Sequence, residues 1–381
     1  MNEPMNMPQL GERLRVARGN AAKTQEDAAA VLGISRPTLI AIERGERKLK
    51  PDELVKLARA YGVSVNDLMR TSAVHVDLVA KFRRNSLKKD DASAEEAVRL
   101  LNRLATAAVE LEQRVGRKQN IGVPPEIQIH PGDLEQQAED VALDMRHRLG
   151  LGLAPISDIV SLVELELGVR IFFRPLKGPI SGVFAYDPAV GPCMLVNSLH
   201  PRDRQVNSIV HELGHFLCAR ETPGVFADSQ IAESREERFV NLFAQAFLMP
   251  ASALRQRFRE YSASGTFQLR NLVLLAHSFG VSFEAITRRM ESLRLLKAGT
   301  FESLKARRFS VEEAKKTLGL ATPAIQSLAP RLLVLAAEAY NRDLLSEGQL
   351  CSMLALERLE LREQIDNLGG PELDDAIPVE V

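Results

Sequence analysis

Apolar residues between positions 10 and 69 recur every three or four places in short bursts, punctuated by glycine at Gly19, Gly33, Gly45 and Gly62. That spacing predicts five helices, over 10–18, 24–32, 35–44, 51–61 and 64–69, gathered into one bundle. Further on, Val98, Leu101, Leu104, Ala105, Ala108 and Leu111 share a helical face among dense charges of both signs. Residues 71–130 therefore read as a charged helical linker, interrupted by Gly122, Pro124 and Pro125. Helices are predicted over 132–149 and 156–167. The pattern then changes to short β-rich runs over 169–174, 180–186 and 193–197, parted by proline and glycine turns, which reads as a small three-stranded meander. Helical spacing returns near Arg202 and holds to residue 368, while residues 369–381 carry Glu372, Asp374, Asp375 and Glu380 and read as an acidic tail. The expected fold is mainly α: a five-helix N-terminal domain, an α+β domain over 131–300 with a small three-stranded sheet, and a helical region over 301–368.

A chain of 381 residues is long enough for two or three domains, each with its own core. Its 49 basic and 50 acidic side chains nearly cancel, so global charge points to no partner. The cancellation is not local. Between residues 10 and 50, nine Lys and Arg face five acids, an excess of four positive charges. Cys193, Cys218 and Cys351 are odd in number and form no CxxC pair, which leaves neither a disulfide framework nor a cysteine-based zinc site and fits a reducing, cytoplasmic setting. With no basic-then-apolar leader and no apolar run near the roughly 18 residues a bilayer requires, neither secretion nor a membrane partner is expected. Metal chemistry has to come from the seven histidines and the carboxylates.

Residues 24–45 place a helix, a glycine and a second helix in succession. Gly33 permits the tight turn, Ala28 and Ala29 let two helices approach, and Ile34, Leu39 and Ile42 point inward. With Gly45-Glu46-Arg47 and a following helix that reads Pro51-x-x-Leu54-x-x-Leu57-Ala58, the segment resembles the repressor-type helix-turn-helix family of Xre and Cro over residues 10–69. The resemblance implies a DNA-binding domain over 1–70 that reads a double-stranded operator. Ser35, Arg36 and Thr38 would lie at the exposed start of the recognition helix, with Gln25 beside a phosphate. Arg36 has the two-donor geometry that suits a guanine edge. One such unit covers half an operator, so a homodimer is expected.

The sharpest chemical signal is His211-Glu212-Leu213-Gly214-His215, set in a stretch of helical spacing. Two histidines four apart leave one helical face a turn apart and can share a tetrahedral Zn²⁺, while the intervening Glu212 suits a general base toward water. A third protein ligand is needed. The next helix, over 233–249, opens with Glu233, Glu236 and Glu237, and its periodicity leaves both Glu236 and Glu237 within reach.

That motif, followed by Glu237-x-x-x-Asn241-x-Phe243-Ala244-x-x-Phe247-Leu248-Met249-Pro250, resembles the ImmA/IrrE metallopeptidase family over roughly residues 130–300. In the family pattern the ligand glutamate stands seven before the alanine of Phe-Ala, which implies Glu237. A second glutamate two residues later is often present; here that place holds Phe239. The resemblance implies a zinc peptidase domain over 131–300 with His211, His215 and Glu237 as metal ligands and Glu212 as catalytic base. His200, His277 and Tyr186 are further candidates for a proton donor. Cys218, a turn beyond His215, reads either as a removable fourth ligand or as a buried small side chain. The strand over 193–197 is a candidate edge for an extended substrate.

Together the two resemblances imply a transcriptional regulator whose peptidase cleaves a repressor or antitoxin partner, or its own linker over 71–120, in response to stress. A second reading keeps the peptidase-like domain as a non-catalytic sensing or structural module. The region over 301–368 carries nothing chemically distinctive and reads as a packing or dimerisation surface.

Overall fold

The computed structural model describes residues 7–21, 23–63, 65–69, 92–119, 122–188, 190–220, 224–227, 234–263, 265–320, 328–366 and 368. The charged start of the expected linker, Glu233 and the acidic tail lie outside the described residues. The chain forms two units, one drawn from 1–118, 187–190 and 335–381, the other from 119–186 and 191–334.

In the first unit, helices α1 (Met7–Asn20), α2 (Gln25–Leu32), α3 (Arg36–Glu43), α4 (Pro51–Tyr61) and α5 (Val65–Met69) match the five predicted bursts. Thr24 and Asp27 close a capping box at the start of α2, and Gly33 ends it with φ 65°, the left-handed conformation that turns the chain into α3. Leu14, Ala28, Leu39, Ile42, Leu57 and Ala58 make the core. α1 rests directly on the end of α3, because a Cβ on Gly11 would stand 2.5 Å from the Glu43 carbonyl oxygen. Helix α6 (Ala92–Val115) follows, with Leu101, Leu104, Ala105, Ala108 and Leu111 buried, as its apolar face predicts.

The second unit opens with α7 (Leu134–Arg148) and α8 (Ile159–Glu166), each N-capped by an aspartate, Asp133 and Asp158. Strands β1 (Arg170–Arg174), β2 (Ile180–Asp187) and β3 (Gly191–Asn197) lead to the long helix α9 (Arg202–Cys218); then come β4 (Gly224–Ala227) and α10 (Arg235–Leu248). Helices α11 (Ala251–Tyr261), α12 (Leu269–Ser278), α13 (Phe283–Ser292), α14 (Thr300–Ala306) and α15 (Val311–Thr317) complete it.

The three predicted strands are present, but they are not a meander. Sheet order is β1-β3-β2-β4, with β3 parallel to β1 and β4 antiparallel to β2. Every residue of β1 and β3 is buried, and a strand covered on both faces has the same apolar signature whatever its neighbours, so strand order was not readable from the pattern. Asn197 ties the β1–β2 connection to β3: its side chain accepts from Leu176 N at 3.1 Å and donates to Ile180 O at 2.8 Å.

α9 is buried from Ser208 to Leu217 without interruption, which makes it the central helix of this unit. It lies against α10, and α7 covers α10 from the other side through Ala138, Ala142 and Met145. The far end of α10 is fixed by Arg146 of α7, a guanidinium only 1% exposed, which donates to Phe247 O at 2.5 Å and to the carbonyls of Gly152 and Ala154. That side chain satisfies a helix-terminal carbonyl that would otherwise be buried without a donor.

Helices α16 (Pro330–Asn341), α17 (Glu347–Leu354) and α18 (Arg358–Asp366) end the described chain. From residue 335 onward they belong to the first unit, where Arg103 of α6 donates to Ser352 O, Arg342 donates to Val115 O at 2.9 Å, and Arg117 pairs with Glu338 at 2.9 Å. Among the described residues no helix is long and apolar enough to cross a membrane.

Candidate metal centre and nucleic-acid interface

His211 and His215 leave α9 on one face, four residues apart, with ring centroids 5.0 Å apart. Their Nε2 atoms face each other at 3.2 Å. Glu237 enters from the first turn of α10, where Ser234 Oγ accepts from its backbone N–H at 3.0 Å and fixes the start of the helix. Its two carboxylate oxygens reach both rings, Oε2 to His211 Nε2 at 3.5 Å and Oε1 to His215 Nε2 at 3.2 Å. Glu236, the other carboxylate within reach by periodicity, meets His215 alone, and from the far side of the ring, at Nδ1. Among the described residues His211, His215 and Glu237 are the one group of three whose donor atoms converge.

Close helix packing permits this. A Cβ on Gly214 would stand 2.9 Å from Val240 Cγ1 and 3.3 Å from Phe243 Cδ1, so the missing side chain lets α10 approach α9 at the turn that carries the histidines. Without that approach Glu237 could not span both rings.

Electrostatics follow from burial. Burial lowers the His211 pKa to about 3, and the neighbouring His215 adds to the fall. At His215 burial works in the same direction, but hydrogen bonds to Glu236 and Glu237 outweigh it and raise the pKa to about 10. His215 in turn holds Glu237 below the usual carboxylate range. Glu212 is fully buried, and both its oxygens lack a hydrogen-bond partner. Burial pushes its pKa up to about 8. Its carboxylate lies beside β2, where a Cβ on Gly182 would stand 3.1 Å from Glu212 Oε1. Two imidazoles and a carboxylate converging next to an unsatisfied buried acid form a donor set that fits a divalent cation of the zinc type.

His200, His277 and Cys218 are not among these converging donors. His277 is exposed on α12, and His200 contacts the Asn197 amide at 3.4 Å. Tyr186 lies against the Phe216 ring, centroids 6.0 Å apart. Cys218 is a free thiol that burial pushes up to about 12, and it is not among the converging donors. The strand over 193–197 cannot serve as an edge: as β3 it is paired on both sides, and the outer position next to β2 is taken by β4. The sequence reading carried Asn241 in the motif without giving it a role; its Oδ1 meets His211 Nδ1 at 3.1 Å. Its position four residues after Glu237, on the same helical face, was the available signal.

In the first unit, Gln25 opens α2 while Ser35, Arg36 and Thr38 gather at the start of α3. Arg36 Nε donates to Gln25 Oε1 at 3.3 Å, and Gln25 Nε2 donates to Glu43 at 3.1 Å. Glu43 also receives both arms of the Arg18 guanidinium, at 2.6 and 3.2 Å. Ser35 and Thr38 hydroxyls share a 2.8 Å bond. Arg36 and Ser35 are exposed, and a buried ion pair steadies the side chain next to them.

The family model for an IrrE N-terminal-like domain matches residues 165–291, and a helix-turn-helix domain model matches residues 9–70. Among curated proteins the chain is similar to the helix-turn-helix-type transcriptional regulator MJ0272 of Methanocaldococcus jannaschii, 39% identical over 59 residues, 16% of this chain and 89% of that protein. It is similar to the cryptic phage CTXphi transcriptional repressor RstR of Vibrio cholerae, 27% identical over 92 residues, 24% of this chain and 83% of the relative. The helix-turn-helix-type regulator ImmR of Bacillus subtilis is 33% identical over 101 residues, 26% of this chain and 65% of ImmR. No solved structure matches the chain.

Glu212 generates a stability prediction. Glu212→Gln removes a buried group that can ionise without a partner, so the metal-free variant should be more stable than the parent by about 1–3 kcal/mol. Denaturant unfolding at neutral pH checks this, and equal or lower stability would contradict it.

Proposed function

Because the chain belongs to the helix-turn-helix transcriptional regulators and its residues 165–291 match an IrrE N-terminal-like domain, we propose that it is a zinc-dependent endopeptidase as well as an operator-binding protein. In this reading hydrolysis governs how long the operator stays occupied. The observation that carries it is the convergence of His211, His215 and Glu237 next to the unsatisfied carboxylate of Glu212.

The imidazoles of His211 and His215 and the Glu237 carboxylate would hold the metal. A zinc ion there supplies Lewis acidity, polarising a peptide carbonyl and making water easier to deprotonate. Glu212 takes the proton of the attacking water and delivers it to the departing amine. Its environment suits the task, since burial raises its proton affinity toward neutrality. Gly182 leaves the carboxylate the room it occupies beside β2.

The substrate of this reading is a repressor or antitoxin partner, or the protein's own charged segment over 71–120. A cut there separates the DNA-binding domain from the rest of the chain and abolishes two-handed operator binding by a homodimer. Similarity to a phage repressor supports a stress- or phage-linked signal. The free state of all three cysteines supports a cytoplasmic location. On the DNA side, Ser35, Arg36 and Thr38 read the major groove and Gln25 fixes the backbone register.

Two outcomes test this. Purified protein incubated with zinc and cell extract should yield defined fragments by intact-mass spectrometry, and Glu212→Gln should keep its zinc while producing none. If Glu212→Gln controls its promoter as the parent does, the domain works as a sensing or structural module instead. Arg36→Ala should lose about 1–3 kcal/mol of operator affinity, concentrated at one base position. A uniform loss across all sequences, or none, would remove the base-reading role.

A further inference from the structure

One helix holds the outer side of both histidines. Asn241 Oδ1 accepts from His211 Nδ1 at 3.1 Å, and Glu236 Oε1 accepts from His215 Nδ1 at 3.3 Å. Both partners stand on α10, and so does Glu237, whose carboxylate lies on the opposite, Nε2 side of each ring. Each imidazole is therefore gripped at Nδ1 by one α10 side chain and aimed at another through Nε2. An imidazole that donates its Nδ1–H keeps the lone pair on Nε2, cannot rotate away, and is a stronger donor to a cation. Buried rings without such partners would have two competing tautomers and two ring flips.

We propose that Asn241 and Glu236 are positioning residues of the metal centre, Asn241 for His211 and Glu236 for His215, so that α10 supplies one ligand and both supports of the other two. The inference rests on the assignment of His211, His215 and Glu237 as the metal ligands. The two supports differ in kind. Asn241 orients its ring without adding charge, whereas Glu236 orients its ring and also places a negative charge near the cation.

The test uses the full-length protein, zinc alone as probe, and a competing chromophoric chelator. Asn241→Ala and Glu236→Ala should each weaken zinc binding by about 10–100-fold. Asn241→Asp, which keeps an acceptor at the same reach, should recover most of that loss, and Glu236→Gln should fall between the alanine variant and the parent. Circular dichroism melts of the metal-free proteins provide the control, and the Asn241 pair should melt alike. Unchanged zinc affinity in both alanine variants would overturn the proposal, as would affinity that follows melting temperature with no rescue by Asp or Gln. A parent protein that binds no zinc would instead overturn the ligand assignment beneath it.

Discussion

The second unit depends on how near α10 can come to α9. A helix pair normally keeps its axes apart by the side chains between them, and at Gly214 there is none. Val240 and Phe243 fill the space a Cβ would claim, and the first turn of α10 is thereby brought level with His211 and His215. Ser234 caps that turn, placing Glu236 and Glu237 where a helix N-terminus favours negative charge. Arg146 anchors the opposite end of the same helix through the Phe247 carbonyl. Both ends are thus tied down, and Glu237 reaches the histidines from a rigid element.

Folding around this contact is costly. Two imidazoles and a carboxylic acid with no partner are withdrawn from water beside the half-buried Glu237 carboxylate, although an apolar core of the same volume would be easier to assemble. The first unit solves its charge problem differently. There the buried Glu43 is met by Arg18 and by Gln25, so the acid is satisfied within the bundle and its stabilising contacts extend to Arg36 on the surface. One unit leaves the oxygens of a buried acid without a hydrogen-bond partner, and the other uses a buried acid as a brace.

Much of this was legible in the chain. Helical spacing and glycine punctuation located the five N-terminal helices, and the paired histidines pointed to the face on which Glu237 converges. Periodicity left Glu236 and Glu237 open because adjacent residues on a helix differ by a rotation that only a neighbouring helix can judge. The structure separates them by showing that one reaches both Nε2 atoms and the other a single Nδ1. Strand order was invisible because β1 and β3 are buried on both faces, and β4 spans only Gly224–Ala227, too short for a pattern of its own. The grouping of residues beyond 335 with the first unit depends on contacts more than two hundred positions apart, such as Arg342 with Val115, which no local pattern records. Asn241 stood in the motif without a role because an asparagine on a helix has many uses, and its partner is thirty residues away.

The central claim is that two imidazole nitrogens and the Glu237 carboxylate hold one zinc ion. X-ray absorption at the zinc edge of the purified, zinc-loaded protein tests it most directly. The account predicts a first shell of nitrogen and oxygen only, with scatterers near 2.0–2.1 Å and the outer-ring pattern of two imidazoles. A sulfur scatterer near 2.3 Å, bringing Cys218 into the shell, or a shell with a single imidazole, would contradict it.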